Sequence, residues 1–451
     1  MEEYFQFTRE LFDPAKAKDK PQPLKGIRVL DFTHFIYGPT CTGILARYGA
    51  EVIKIEEPGT GDMLRLGAWW GKYWKHTNPL SHALHHNKYF VTINLKKPEG
   101  KELVYKLAEK ADVVVENLAA GTAEAWGVGY TQLREIKPDI IYLSCSTYGQ
   151  YGPLRFFPGW DLLAQAAAGT ITITGYPGTD KYYKLPDYLG DFYPGTLGVL
   201  VILFALYYRK KTGKGQYIDL AQVETLTRLL PHFTYFSITG QELERTGNID
   251  PAMAPAFIHK TRDGKFVAIA AGTDEHFKAL CTAMGRSDLP AKYPTELERL
   301  KPENARELNT IAQQWVSQKD AVEIVSLGKQ HGFPAAEVVD DYQITHEEWR
   351  RERGSVETFY DEMYREFLLP GPQAFLSKSP AKVKWLCRPV GYHNRLVLKG
   401  WLGLSDKELE ELEKKKVIGY WDDRPGAKPP LYYDITTDPI FNYQGNGGST
   451  P

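Results

Sequence analysis

The sequence predicts an α/β protein in which a large domain with a parallel sheet is accompanied by a smaller α+β domain. Three observations lead there. Short runs rich in branched apolar residues alternate with helix-length segments through the first half of the chain, the pattern expected of βαβ units with both sheet faces covered. The alternation breaks near Leu226, and 451 residues suffice for two cores. The reading assigns 1–229 and 341–451 to the large domain and 230–340 to the small one.

Ile27–Phe32 (IRVLDF) reads as the first buried strand, Gly38-Pro39 as the turn into a helix, and Glu51–Ile55 (EVIKI) as the second strand. Proline close to a helix start is favoured because its missing N–H would have had no partner there. Strand Phe90–Asn94, helix Pro98–Glu109, strand Val113–Glu116, a short helix from Thr131 and strand Ile140–Ser144 follow. Gly195–Arg209 reads as an apolar helix whose Gly195 and Gly198 permit close packing, ended by the basic turn Lys210–Gln216 before strand Tyr217–Leu220. Beyond it, Arg262-Asp263-Gly264-Lys265 reads as a hairpin turn before strand Phe266–Ala270, with Asp274–Met284 and Asn304–Gln318 as helices. Near the end, Ser405 and Glu408 form the capping box of helix Ser405–Lys416.

Composition excludes several classes of function. A net charge of -1 argues against a polyanion-binding surface, so no nucleic acid partner is expected. The cysteines Cys41, Cys145, Cys281 and Cys387 are scattered, which fits a reducing compartment and argues against thiol or zinc chemistry. The N-terminal MEEYFQFTRELF lacks the apolar core of a signal peptide, and the apolar run Leu197–Tyr208 is shorter than a bilayer span, so a cytoplasmic location and no membrane partner are expected.

The loop Thr33–Pro39 lies where a dinucleotide-binding protein carries G-x-G-x-x-G, but it holds one glycine, which argues against NAD and FAD. Amides at that helix start are able to hold a single phosphate or a pantetheine group; a plain strand-to-helix turn is the alternative. Asp187 and Asp191 precede an apolar helix, and Asp161 follows Pro158-Gly159-Trp160; taken alone, each reads by default as a helix cap. His82, His85 and His86 have helical spacing but lack the glutamate of H-E-x-x-H, so no metal is expected. No G-x-S-x-G elbow is present.

Taken together and in order, the stretches GIRVLDFTHFIYGP, GAEVIKIEEPGTGDMLR, HNKYFVTINLKKPEGKEL, PDIIYLSCSTYGQYGP, GWDLLAQAAAG, GDFYPGTLG, TRDGKFVAIA and LGLSDKELEEL resemble the class III coenzyme A transferases. That family includes formyl-CoA:oxalate and carnitine CoA-transferases and the α-methylacyl-CoA racemases. The resemblance implies a Rossmann-like large domain and an interlocked, ring-like dimer, formed with a second copy or with a paralogous subunit. It implies no permanently bound cofactor, coenzyme A and acyl-CoA being substrates. The family nucleophile, the aspartate of Gly-Asp-x-x-x-Gly, is matched by Gly190, Asp191 and Gly195. By the same correspondence the CoA pocket is carried by Phe35, Ile36, Tyr37, Asp62, Arg65, Asn94, Lys96, Glu116, Asn117 and Gly121.

Departures refine the expectation. Glu57 and Tyr89 stand where many members have arginine, and Ile249–Pro255 lacks the glycine-rich loop of the formyl-CoA branch. Trp160 replaces the racemase histidine, and an indole cannot exchange a proton in that role, which favours transfer over epimerisation. A non-catalytic CoA-binding subunit is a third reading, opposed by the presence of Asp191. With Trp69–Trp74, Trp160, Tyr188 and Tyr193 as walls of the substrate pocket, the expected reaction passes CoA from an acyl-CoA such as succinyl-CoA to a bulky or aromatic acid. Benzylsuccinate and aryl-acid transferases are the branch to compare. Core packing is the competing explanation for these aromatics.

Overall fold

The computed structural model describes residues 1–13, 16–67 and 77–420; Trp69–Trp74 lie outside them. Two compact units are present. The first comprises the described residues of Met1–Ala168, Leu185–Leu230 and Glu352–Tyr420, the second Gly169–Lys184 and Pro231–Arg351.

The first unit is built on strands β1 (Arg28–Asp31), β2 (Glu51–Glu56), β3 (Tyr89–Thr92), β4 (Val113–Glu116), β5 (Ile141–Ser146) and β6 (Gln216–Ala221). All pair in parallel, in the order β3-β2-β1-β4-β5-β6. This is the doubly wound order, which reverses direction between β1 and β4 and opens a crevice beyond the strands' carboxyl ends. Side chains alternate across the sheet. Leu30, Ile53 and Val114 face a layer that includes Leu103, Leu107, Val397 and Leu409; Val29, Val52 and Val113 face Cys41, Leu45, Ile202 and Ala205. The expected α/β fold with a parallel sheet is therefore present.

Edge strand β3 is covered by the returning chain. The Phe90 N–H donates to His393 Nδ1 at 3.0 Å, Thr92 N–H to Asn394 Oδ1 at 2.8 Å, and Asn94 N–H to the Val417 carbonyl at 2.7 Å. Burial pulls the His393 imidazole down to about 4, so its Nδ1 stays an acceptor at neutral pH.

The helix Leu189–Thr212 begins six residues earlier than Gly195 because Pro194 lies within it rather than before it. By length and composition alone it is able to cross a membrane. Its Gly195, Gly198, Ile202 and Ala205 are buried, however, against the helix Tyr37–Arg47 and the sheet. A Cβ on Gly195 would lie 2.5 Å from the Tyr37 carbonyl oxygen and 2.7 Å from Thr40 Cβ. The hairpin β10 (Val356–Asp361) and β11 (Arg365–Pro370), absent from the sequence reading, also belongs to this unit.

The second unit holds the antiparallel sheet β7 (Ala256–Lys260), β8 (Phe266–Ala270) and β9 (Ala335–Glu337) beneath helices Asp274–Met284, Pro302–Val316 and Ala321–His331. Its limits differ from 230–340. It extends to Arg351 and takes in 169–184, which Arg245 ties to it through bonds to the Thr179 and Lys181 carbonyls, both at 2.5 Å.

Gly195→Val is expected to lower stability by about 1–3 kcal/mol or more, because neither a carbonyl nor a β-carbon in that contact is able to swing aside. An unchanged urea midpoint and slope would contradict the close approach of the two helices.

Candidate active site

Backbone chemistry brings Asp191 and its partner together. Pro194 has no N–H to give to the carbonyl of Gly190, four residues earlier in the helix. Gln222 Nε2 fills that place, donating to the Gly190 oxygen at 3.0 Å and to Asp191 Oδ1 at 2.5 Å. Gln222 Oε1 in turn accepts from Thr147 Oγ1 at 2.7 Å, which fixes the orientation of the amide. The left-handed helix cap is Tyr188, at φ 57°, and no side chain bonds there, so Asp191 is not acting as a cap.

Asp191 lies in the wall of a cavity of about 400 Å³ at the crevice between β1 and β4. The loop after β1 contributes His34, Phe35 and Tyr37; the loop after β4 contributes Asn117–Ala120; Cys145–Tyr148 come from the end of β5. Asn117 clips the first two loops together: the His34 N–H donates to its Oδ1 at 2.6 Å, and its Nδ2 donates to the His34 carbonyl at 2.8 Å. Arg155, Phe157 and Trp160 complete the wall, with Trp160 edge-on to Phe35 at 4.8 Å between ring centres.

Burial pushes the Asp191 carboxyl up to about 7, with nearby Asp161 adding to the rise and Gln222 opposing it. Gly190 is needed for that neighbourhood, since a Cβ there would meet Asp161 Oδ1 at 2.6 Å. Asp161, in the first turn of helix Asp161–Ala168, also accepts from Gln165 Nε2 at 2.8 Å.

A second cavity of about 260 Å³ lies beyond β2 and β3, lined by Glu57, Asn94, Leu95, Lys96 and Trp126. His34 and Leu118 line both cavities, which makes the two neighbours. Lys96 Nζ lies 3.6 Å from Glu57 Oε1, both side chains being exposed.

The sequence-predicted residues divide between these cavities and their foundation. Phe35, Tyr37, Asn117, Trp160 and Asp191 line the larger cavity, Asn94 and Lys96 the smaller. Gly121 is near the surface at φ 78°, its N–H 3.3 Å from Gln150 Oε1. Asp62 and Arg65 are fully buried and do not face either cavity: Arg65 forks onto Glu56 at 2.7 and 3.2 Å, and Asp62 pairs with Lys54 at 2.8 Å while accepting the Phe35 and Leu64 N–H groups. Ile36 is core. Glu116 is buried beside the Ser144 hydroxyl and the Leu118 N–H; burial, opposed by those two bonds, raises its carboxyl to about 7. Tyr188 packs on Ile36 and Leu64, and Tyr193 on Ala164 and Leu226, so of the three expected substrate walls only Trp160 reaches the cavity. Tyr148, Phe157 and Gln222 escaped the sequence reading.

The histidines are structural neighbours of the same foundation. His85 Nδ1 lies 3.1 Å from Lys88 Nζ, and burial with the adjacent cations holds the imidazole well below its usual range; His82 stands edge-on to Tyr364 at 4.6 Å.

Comparison with known proteins gives a consistent result. The profile of CoA-transferase family III matches residues 24–394. The succinyl-CoA–D-citramalate CoA-transferase of Chloroflexus aurantiacus is 33% identical over 400 residues, covering 88% of this chain and 98% of that protein. The alpha subunit of succinyl-CoA–L-malate CoA-transferase from the same organism is 34% identical, covering 88% and 92%. Among solved structures, a CAIB/BAIF family protein from Brucella suis superposes with a TM-score of 0.74 at 26% identity, covering 85% of this chain and all of that one.

An aspartate whose carboxyl is raised in the folded state stabilises the fold less as it ionises. The unfolded chain releases that proton near pH 4 and the folded chain near 7, so the cost of the ionised group grows between those values and is complete above the higher one. Asp191→Asn, which keeps the acceptor for Gln222, is therefore expected to gain stability over the unaltered chain by an amount rising from pH 5 to pH 8 and reaching a few kcal/mol, about 1.4 per pK unit. Parallel stability curves for the two proteins would refute the buried setting of Asp191.

Proposed function

The chain belongs to CoA-transferase family III, and we propose that it passes coenzyme A from succinyl-CoA to a free carboxylic acid, with Asp191 carrying the acyl group between them. The observation that carries this reading is the Asp191 carboxylate in the wall of a cavity at the sheet's switch point, held by one amide rather than spent on capping a helix.

The two adjoining cavities suit the two ends of an acyl-CoA. The smaller, with Asn94, Lys96 and Trp126, takes the nucleotide end; the pantetheine arm crosses His34 and Leu118; the thioester enters the larger cavity. Lys96 is held near Glu57 and exchanges that partner for a phosphate. Asp62 and Arg65 contribute indirectly, by holding the Phe35 loop in place.

The relay needs no net energy input, because one thioester replaces another. Asp191 attacks the donor's carbonyl carbon, the C–S bond breaks, and CoA thiolate leaves an acyl-aspartyl anhydride. The thiolate then attacks the aspartyl carbonyl, releasing the donor acid as carboxylate and forming an aspartyl-CoA thioester. The acceptor carboxylate displaces the thiolate to form a second anhydride, and attack by thiolate on the acceptor's carbonyl yields the new acyl-CoA and frees Asp191. Each step passes through a tetrahedral oxyanion, which positioned N–H groups stabilise by a few kcal/mol each.

The acceptor is a bulky or aromatic acid, benzylsuccinate being one of this class. Phe35, Tyr148, Phe157 and Trp160 support this by giving the cavity aromatic walls. The relatives named above use succinyl-CoA, which supports the donor. Trp160 disfavours epimerisation, for the reason given by its chemistry. A second copy or a paralogous chain covers the apolar face of helix Leu189–Thr212, where Leu200, Leu203, Phe204, Tyr207 and Tyr208 are exposed. The setting is cytoplasmic, in keeping with four free, buried cysteines.

Asp191→Ala is expected to lower transfer roughly a thousandfold or more while CoA still binds. In the unaltered enzyme, incubation with succinyl-CoA should leave a CoA-sized mass on the peptide containing Asp191. Normal turnover by the variant would end the proposal. Transfer should also fall as pH drops through about 7, where the nucleophile takes up its proton. Gln222→Met removes the bond that opposes this rise, so its acid limb should move to higher pH with activity regained in alkali; an unshifted limb would deny Gln222 that part.

A further inference from the structure

Among the described residues, the cavity that contains Asp191 has one guanidinium in its wall, that of Arg155. This residue lies in the loop between β5 and helix Asp161–Ala168, in the segment Gly152–Trp160 that also brings Phe157 and Trp160 to the cavity. Its Nη1 donates to the Gly152 carbonyl at 2.8 Å, and the group stacks 4.3 Å from the centre of the Phe156 ring. Those contacts set its plane and position without neutralising it. Among the described residues no carboxylate forms an ion pair with Arg155, whereas Lys96, in the wall of the smaller cavity, lies near Glu57.

A guanidinium presents five N–H donors in a planar fork that matches a carboxylate edge to edge. Here the fork lies on an exposed loop at the cavity's rim and keeps donors to spare for a charge-assisted bond. The reacting carbon of any substrate must sit at Asp191, itself a carboxylate, so the reacting end of the ligand cannot also occupy Arg155. A second negative group on the same acyl chain is able to do so. It would also offset the repulsion between the Asp191 carboxylate and an incoming dianion.

Resting on the transferase reading, we infer that Arg155 is a specificity-determining residue that binds the non-reacting carboxylate of dicarboxylic substrates. Acids with one carboxyl group gain nothing from it. Dicarboxylic acids bearing an aromatic substituent use both the guanidinium and the surrounding rings.

The test compares matched acceptors, phenylsuccinate against 3-phenylpropanoate and succinate against butyrate, with one CoA thioester as donor. The unaltered enzyme should favour the dicarboxylic member of each pair. Arg155→Gln should lower kcat/KM for the dicarboxylic acids 10- to 100-fold, chiefly through KM, and change the monocarboxylic acids less than about threefold. Arg155→Lys, which keeps the charge but not the fork, should fall between. The KM for succinyl-CoA, which carries a free carboxylate of its own, should rise with that of the dicarboxylic acceptors; equal losses for both members of an acceptor pair would overturn the assignment and point to a structural or phosphate-binding part for Arg155. Failure of the unaltered enzyme to transfer CoA to any acid would instead overturn the transferase reading, and this inference with it.

Discussion

The site depends on one close approach, that of helix Tyr37–Arg47 to helix Leu189–Thr212. Gly195 lets the second helix run against the Tyr37 carbonyl, and Gly198 lets it run against Cys41 and Leu143, contacts in which any side chain would push the helices apart. Asp191 is one turn ahead of Gly195. Its place beside the Phe35–Tyr37 loop therefore follows from backbone distance rather than from a bond of its own. Pro194 completes the arrangement by leaving the Gly190 carbonyl to Gln222, so the defect proline makes in the helix is what directs an amide onto the carboxylate.

Beneath the loop lies a set of fully buried charges: Asp31 with Lys88 and Thr42, Lys54 with Asp62, and Glu56 with Arg65. Burial raises the carboxyl of Asp31, yet Lys88 and Lys54 outweigh it and leave the group below its usual range; Asp62 is held lower still, mainly by Lys54 against the same effect. Such pairs bring little net stability, because desolvation consumes much of the attraction, but loss of one member strands the other. Their value here is positional. Asp62 accepts the Phe35 N–H, and Lys54 donates to the Thr33 carbonyl at 2.6 Å, so the loop facing the cavity is anchored from behind.

The central strands were legible because runs such as IRVLDF and EVIKI are buried on both faces and carry almost no competing signal. Helix starts were less so. Pro194 reads locally as a boundary, and only the packing around Gly190 and Gln222 shows that the helix runs through it. Hairpin β10–β11 escaped because it turns without glycine, using Arg365 at φ 66°, and its alternation of apolar and charged residues is short. For the site, a motif located Asp191 but could not tell an acidic residue facing a cavity from one facing the core; Asp62 and Arg65 differ from Asn94 and Lys96 in burial, which spacing does not encode. The aromatic side chains behaved alike: Trp160 reached the cavity, whereas Tyr188 and Tyr193 were taken up by neighbouring apolar clusters.

The raised carboxyl of Asp191 has a consequence for the proposed relay that concerns leaving groups. In either anhydride the thiolate is able to attack one of two carbonyls, and the carboxylate of lower pKa departs more readily. An ordinary substrate carboxyl, near 4 to 5, is then a better leaving group than Asp191 at about 7. Attack on the aspartyl carbonyl is thus favoured in both halves of the reaction, which drives the donor anhydride forward and draws the acceptor anhydride back to the same aspartyl-CoA thioester. In the proposed relay, burial would make the thioester the form that waits for the acceptor. By the same preference it would shorten the life of each proposed anhydride, the species water attacks most readily, so the environment that makes Asp191 costly to ionise would also limit the loss of its most reactive intermediates.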